Sequence, residues 1–210
     1  MADPTPNDAP SYVSRGALKL AAALESFSID ATEWRCVDLG CSTGGFTDCL
    51  LQAGARRVFA VDTAYGELAW KLRQDPRVVV MERTNALHAQ LPAEVACAGG
   101  LELAVIDLGW TPQRLAVPAA LRWVPPGGLI VTLIKPHYEA ADATRGGKGA
   151  VLEEEEAERV SWECARSMEA MGCELIGVIE SPIRGGKRGK SGKGRGNREW
   201  LAALRATHAD

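Results

Sequence analysis

Apolar residues in this chain gather in short, nearly unbroken runs, separated by stretches where they recur at helical spacing. The runs are WRCVDLG (34–40), RRVFAVD (56–62), RVVVME (77–82), LELAVID (101–107), GGLIVTLIK (127–135) and CELIGVIESPI (173–183). Each is too short for a typical helix and rich in branched aliphatics, so each predicts a strand. Between them, YVSRGALKLAAALESFSI (12–29) carries Leu18, Leu20, Ala21, Leu24 and Phe27 as an approximate helical stripe, with Ser14 as its candidate cap. GGFTDCLLQAG predicts a helix ending at Gly54, GELAWKLRQ one that stops before Pro76, and LEEEEAERVSWECARSMEAMG a long amphipathic one. The segment REWLAALRA fits a last strand or a short helix. Strands apolar on both faces, alternating with helices, imply an α/β fold with a parallel sheet covered on both sides.

The 210 residues suffice for one such domain, expected over 11–206. Residues 1–10 hold three prolines and two aspartates and predict a disordered tail. They show neither a basic nor an apolar leader segment, and no apolar run approaches ~20 residues. The expectation is a cytoplasmic protein away from membranes. Six cysteines without a C-x-x-C pair read as buried free thiols, with no metal site. Oligomeric state is not legible.

Charge changes the picture locally. The net charge is −3, yet 184–198 (RGGKRGKSGKGRGNR) holds seven basic residues, six glycines and no acid. The rest of the chain then has 17 basic against 27 acidic residues. A mildly acidic body with one cationic, mobile loop implies a localised polyanion contact, through Arg184, Lys187, Arg188, Lys190, Lys193 and Arg195. Arg15 is a further candidate.

The chemistry concentrates after the first strand, in DLGCSTGG: Asp38, Gly40, Ser42, Thr43, Gly44 and Gly45. Ligands of open α/β sheets bind at the carboxyl ends of strands. A dinucleotide turn needs a middle glycine, and Ser42 occupies that place. The D-x-G-x-S-x-G-G pattern fits instead the turn of S-adenosylmethionine enzymes, which cradle no pyrophosphate. Asp62 ends the next strand, 22 residues beyond Gly40, where a carboxylate can accept from two ribose hydroxyls. Asn85 follows the third strand, where an adenine edge could be read. Lys19 interrupts an apolar helix face, Asp107 and Lys135 end strands four and five, and Glu199 follows the basic loop. All four are expected over the same sheet edge. The N/D-P-P-Y/F signature of amino-group methylation is absent, since DLGW stands there, and no Pro-Cys offers a cytosine-attacking thiol. His137 reads as loop or substrate rim.

Several of these blocks together resemble the TlyA branch of the FtsJ-type ribose 2′-O-methyltransferases: YVSRGALKL, VDLGCSTGGFTDCLLQAGARRVFAVD, YGELAWKLRQDPRVVVMERTNA, LIKPHYE and SPI…GNREWL. The resemblance implies a Rossmann-like class I methyltransferase sheet with an antiparallel last strand. It implies a Lys–Asp–Lys–Glu tetrad on Lys19, Asp107, Lys135 and Glu199, and cofactor contacts at Gly40, Ser42, Gly44, Gly45, Phe46, Asp62 and Asn85. It further implies S-adenosylmethionine as cofactor and ribosomal RNA or a ribosomal subunit as partner. Two departures stand out. The family ordinarily carries an RNA-binding module ahead of the SRGGLKL-like segment, where this chain has about ten residues; the basic loop is expected to take over its phosphate contacts. The family's D-x-S-F reads Asp107-Leu108-Gly109-Trp110 here, which alters the rim of the acceptor pocket.

Overall fold

The computed structural model describes residues 11–143, 152–186 and 196–207, the side chains of 141–143 excepted. Seven strands form one sheet in the order β3-β2-β1-β4-β5-β7-β6. They are β1 (Arg35–Leu39), β2 (Arg57–Val61), β3 (Val78–Met81), β4 (Leu103–Ile106), β5 (Leu129–Ile134), β6 (Cys173–Glu180) and β7 (Trp200–Ala206). β1 to β5 pair in parallel, while β7 runs antiparallel between β5 and β6. The ambiguous last segment is therefore a strand. It is inserted beside β5 rather than added at the edge.

Strand residues alternate between two apolar layers, as the two-residue period demands. Val37, Phe59, Val61, Ala104, Ile106, Ile130 and Ile134 pack on one face with Val117, Trp123 and Met168. Cys36, Val58, Ala60, Leu103, Val105, Val131 and Leu133 pack on the other with Leu20, Leu24, Phe46 and Leu50. The second face is covered by α1 (Ala17–Ser26), α2 (Gly45–Gln52) and α3 (Trp70–Arg73). The first is covered by α4 (Ala93–Cys97), α5 (Gln113–Leu121) and α7 (Glu154–Ser167). Between β5 and α7 lies α6 (Pro136–Ala143).

Several local expectations change. Ser14 makes no capping bond; α1 starts at Ala17, and Ser14 contributes only its carbonyl to the first turn. The GELAWKLRQ segment is helical only over Trp70–Arg73, because a glycine with φ +79° at Gly66 and an extended Ala69 keep the preceding residues in a turn. Cys97 is exposed and Cys164 half-buried, while the other four free thiols are buried. The 1–10 tail lies outside the described residues. Among the described residues no helix is long and apolar enough to cross a membrane.

Candidate active site

The turn after β1 is built by close backbone packing. Gly40 and Cys41 both donate N–H bonds to the Val61 carbonyl, and Gly44 donates to Cys41 O at 2.7 Å. Gly40 sits at φ +95°, where an added Cβ would lie 2.6 Å from the Asp107 carbonyl. Gly45 opens α2 against the pre-α1 loop, with its Cβ position 2.3 Å from Ser14 Oγ. Glycine is thus required here by the protein's own packing and dihedrals, as well as by any ligand approach. Ser42 also adopts a left-handed φ of +47°.

Two adjoining hollows flank this turn and share Gly40, Ser42 and Asp107. The larger, about 460 Å³, is lined further by Asp62, Asn85 and Thr111. The smaller, about 120 Å³, is lined by Ser14, Thr43, Gly45 and Phe46. Asp62 is held in place by N–H bonds from Ser42 (2.7 Å) and Ala64 (2.8 Å). Asn85 accepts from Leu87 N–H at 2.9 Å, which leaves its NH₂ group to the hollow. These residues fit an adenosine-bearing cofactor: a carboxylate for the ribose diol, a free amide for a base edge, and a small polar end against the glycine turn. Gly44 lies slightly apart from both hollows, since its Cβ position abuts Leu68 and Leu72. Among the described residues there is no cluster of groups that could hold a metal ion.

Asp38 takes a different position from the one expected. It is completely buried, lines neither hollow, and accepts from Thr47 Oγ1 at 2.7 Å through Oδ2. Its Oδ1 has no hydrogen-bond partner among the described residues. Burial pushes its pKa up to about 7, with Asp107 and Asp62 adding to the effect and the Thr47 bond opposing it.

The four charged residues form two short ion pairs. Lys135 Nζ lies 2.6 Å from Asp107 Oδ1 and also donates to Leu108 O at 3.1 Å. Lys19 Nζ lies 2.6 Å from Glu199 Oε2, both side chains being nearly buried. Topology explains the meeting. Asp107, Lys135 and Glu199 share strand parity with Val105, Leu133 and Leu201, which face the layer containing α1. Continuing the Ile134–Trp200 register by one step sets Glu199 across from Lys135. A third hollow, about 220 Å³, is walled by Pro136 and His137, just after Lys135, and by Asn197 and Arg198, just before Glu199. His137 is buried there in the first turn of α6; burial and Lys135 lower its pKa.

The described part of the basic loop is its stem. Arg184 pairs with Glu154 at 2.9 Å, and Arg15 donates to the Gly186 carbonyl, so both RNA candidates are engaged within the chain. Lys187, Arg188, Lys190, Lys193 and Arg195 lie outside the described residues. The sequence reading did not include the pair formed by exposed Trp110 on half-buried Tyr138, ring centroids 4.7 Å apart, beside Lys135. The available signal was an aromatic residue directly after Gly109, in place of the phenylalanine of D-x-S-F.

Comparison with known proteins places the chain among known families. The chain is 44% identical over 193 residues to YqxC of Bacillus subtilis, which covers 92% of this chain and 65% of that protein. It is 43% identical over 174 residues to the 16S/23S rRNA (cytidine-2′-O)-methyltransferase TlyA of Mycobacterium tuberculosis, covering 83% and 64%. The chain therefore spans just under two thirds of the length of these curated relatives. A solved structure from Streptococcus thermophilus superimposes with TM-score 0.83 at 38% identity, over 97% of this chain and 70% of that one. The N-methyltransferase NodS of Bradyrhizobium japonicum, solved with S-adenosylhomocysteine, shares the fold at TM-score 0.55 and 16% identity, over 90% and 86%. The model of the FtsJ-like methyltransferases matches residues 12–191, and the chain belongs to that family.

Proposed function

We propose that the chain is an S-adenosylmethionine-dependent methyltransferase acting on a ribose 2′-hydroxyl of ribosomal RNA. The observation that carries this reading is the pair of lysine–carboxylate contacts, Lys135–Asp107 and Lys19–Glu199, set at the sheet edge beside the glycine turn. The TlyA relative, named as an rRNA (cytidine-2′-O)-methyltransferase, supports the choice of acceptor. The rRNA specificity, the ribosomal partner and the cytoplasmic setting belong to this proposal.

When bound, the cofactor supplies a methyl group made electrophilic by its sulfonium charge. Asp62 would hold the ribose diol and Asn85 the base edge, while the 40–45 turn would seat the amino-acid end. A ribose hydroxyl is a weak nucleophile, so the protein must align its oxygen and stabilise the charge that develops as its proton leaves. Lys135 serves that task. Asp107 and Leu108 O take two of its N–H directions, and the third is left for the acceptor oxygen. Held 2.6 Å from Asp107, the Lys135 side chain stabilises the charge that develops on the acceptor oxygen, whose proton passes to water as the methyl group is accepted. Lys19 and Glu199 complete the acceptor wall.

The test is methyl transfer from labelled cofactor to ribosomal RNA, followed by alkaline hydrolysis. Label in alkali-resistant dinucleotides is the expected result, since a 2′-O-methyl group blocks cleavage at its own linkage. Label released with a base, or found on protein, would place the acceptor elsewhere.

A further inference from the structure

Three aromatic side chains are 70% or more exposed among the described residues: Tyr65, Trp70 and Trp110. All follow the carboxyl ends of strands, Tyr65 and Trp110 on connections and Trp70 at the start of α3. Trp110 rests on Tyr138 beside Lys135 and belongs to the acceptor wall. Tyr65 stands on the connection between β2 and α3, Trp70 is the first residue of α3, and neither lines the two hollows beside the glycine turn. Large apolar rings left in water on a monomer's surface call for an explanation in a way that scattered aliphatics do not.

The backbone beneath these rings is firmly tied. Ala64 N–H bonds to Asp62 Oδ1 at 2.8 Å, Gly66 N–H to Glu82 Oε1 at 2.9 Å, and Ala69 N–H to the Thr43 carbonyl at 3.1 Å. Arg73 bridges the same segment by donating to Leu68 O and pairing with Glu82. The connection is thus anchored both to the acid at the end of β2 and to the glycine turn. Arg83 comes in from the end of β3 with a left-handed φ of +52° and donates its N–H to Ala64 O. Its guanidinium lies over the Tyr65 ring at 4.3 Å, and no carboxylate pairs with it among the described residues. The result is a preorganised surface of two π faces and one uncommitted planar cation.

We propose that Tyr65, Arg83 and Trp70 form a stacking platform for unpaired nucleobases of the RNA that flank the acceptor nucleotide. The inference rests on the RNA reading above. Aromatic faces stack on any base, and an arginine laid on a ring adds a positive charge that matches the adjoining phosphate. The ties to Asp62 and Thr43 place the platform at a fixed offset from the groove. A strand held there is set in register with the methyl group, which phosphate contacts alone cannot do.

The test uses Tyr65→Ala, Trp70→Ala and the double variant, with Tyr65→Phe and Trp70→Phe as ring-retaining controls. Affinity for a single-stranded RNA oligonucleotide spanning the methylated position is measured across a salt series, beside affinity for S-adenosylhomocysteine. Each alanine variant should lose about 5- to 150-fold in RNA affinity, the equivalent of ~1–3 kcal/mol of stacking per base. The salt slope should not move, because no cation is removed, and the phenylalanine variants should stay near wild type. Unchanged RNA affinity overturns the platform while the methylation reading stands. A loss confined to S-adenosylhomocysteine binding shows that the rings cover the cofactor instead. A wild-type dimer abolished by the alanine variants shows that the face serves a second copy of the chain. Wild-type protein that neither binds nor methylates RNA brings down the functional reading itself, and the platform with it.

Discussion

Lys135 has two of its three N–H directions taken by Asp107 and Leu108 O, so under the proposed function the third is the one open to the acceptor oxygen. Lys135→Ala should reduce methyl transfer by ~10²–10⁴-fold, the range of positioned acid–base and charge-stabilising groups. Calorimetry with S-adenosylhomocysteine should show cofactor affinity nearly unchanged, because no cofactor contact is assigned to that side chain. More than about a tenth of wild-type turnover in the variant would remove Lys135 from the chemistry. Asp38 allows a different test. Its folded pKa of about 7 exceeds the ordinary carboxylate value of 3.8. The folded state therefore keeps a proton that the unfolded chain releases, and stability falls as pH rises from about 4 to 7 and is level above that. Asn at this position still accepts from Thr47 and does not titrate. Urea unfolding should show Asp38→Asn gaining stability relative to wild type across that window, by at most about 1.4 kcal/mol per pH unit. A difference independent of pH would mean that Asp38 is ionised in the folded protein.

Between elements, the junction of β6 and β7 sets Glu199. The Cβ position of Gly185 lies 2.0 Å from Glu199 Oε1, and that of Gly196 lies 1.7 Å from Gly185 O. Gly185 N–H also bonds to the Asn197 carbonyl at 2.9 Å. The two stems of the basic segment thus cross without side chains, directly over the Lys19–Glu199 pair. Gly185→Ala should displace Glu199 from Lys19 and cut turnover at least about tenfold, since misplacement of about 1 Å can cost ~10²-fold. Cofactor affinity should hold. Turnover equal to wild type would show that Glu199 can yield without cost. Such a constraint could not be read from a glycine-rich, basic segment, which looks like a flexible loop by composition alone. The parallel strands were legible because both faces of most of them are buried, so nearly every interior position is apolar. The helix α5 was not, since Pro118 interrupts it and Leu115 faces water, which blurs the helical period. The short α6 begins with Pro136 at its first position, a start signal that the Lys135 reading passed over. The glycine turn was legible as a site, but its packing role was not, because the Leu72, Ser14 and Asp107 contacts join residues distant in sequence.

Across the whole molecule, the charge imbalance between the 184–198 segment and the acidic remainder gives the two proposed RNA contacts different physics. Phosphate contacts release counterions and so depend on salt, whereas stacking on Tyr65 and Trp70 does not. Arg184 pairs with Glu154 and Arg15 donates to the Gly186 carbonyl, so the proposed phosphate contact is tested on the lysines and arginines between 187 and 195. Replacing Lys187, Arg188, Lys190 and Lys193 by serine should weaken RNA binding and flatten its salt dependence. Each lost contact should remove about 0.7–0.9 from the slope of log K against log salt. Cofactor affinity should be untouched, because Asp62, Asn85 and the 40–45 turn lie on the strand ends of β1 to β3. An RNA with a single 2′-deoxy residue at the target should bind both proteins as the natural RNA does, yet accept no methyl group. A serine variant with the wild-type slope would return the segment to solvated surface and leave the phosphate contact to other cations of the same edge. Methyl transfer to the deoxy substrate would be more damaging, since the Lys135–Asp107 and Lys19–Glu199 pairs would then have to serve a base or a phosphate oxygen.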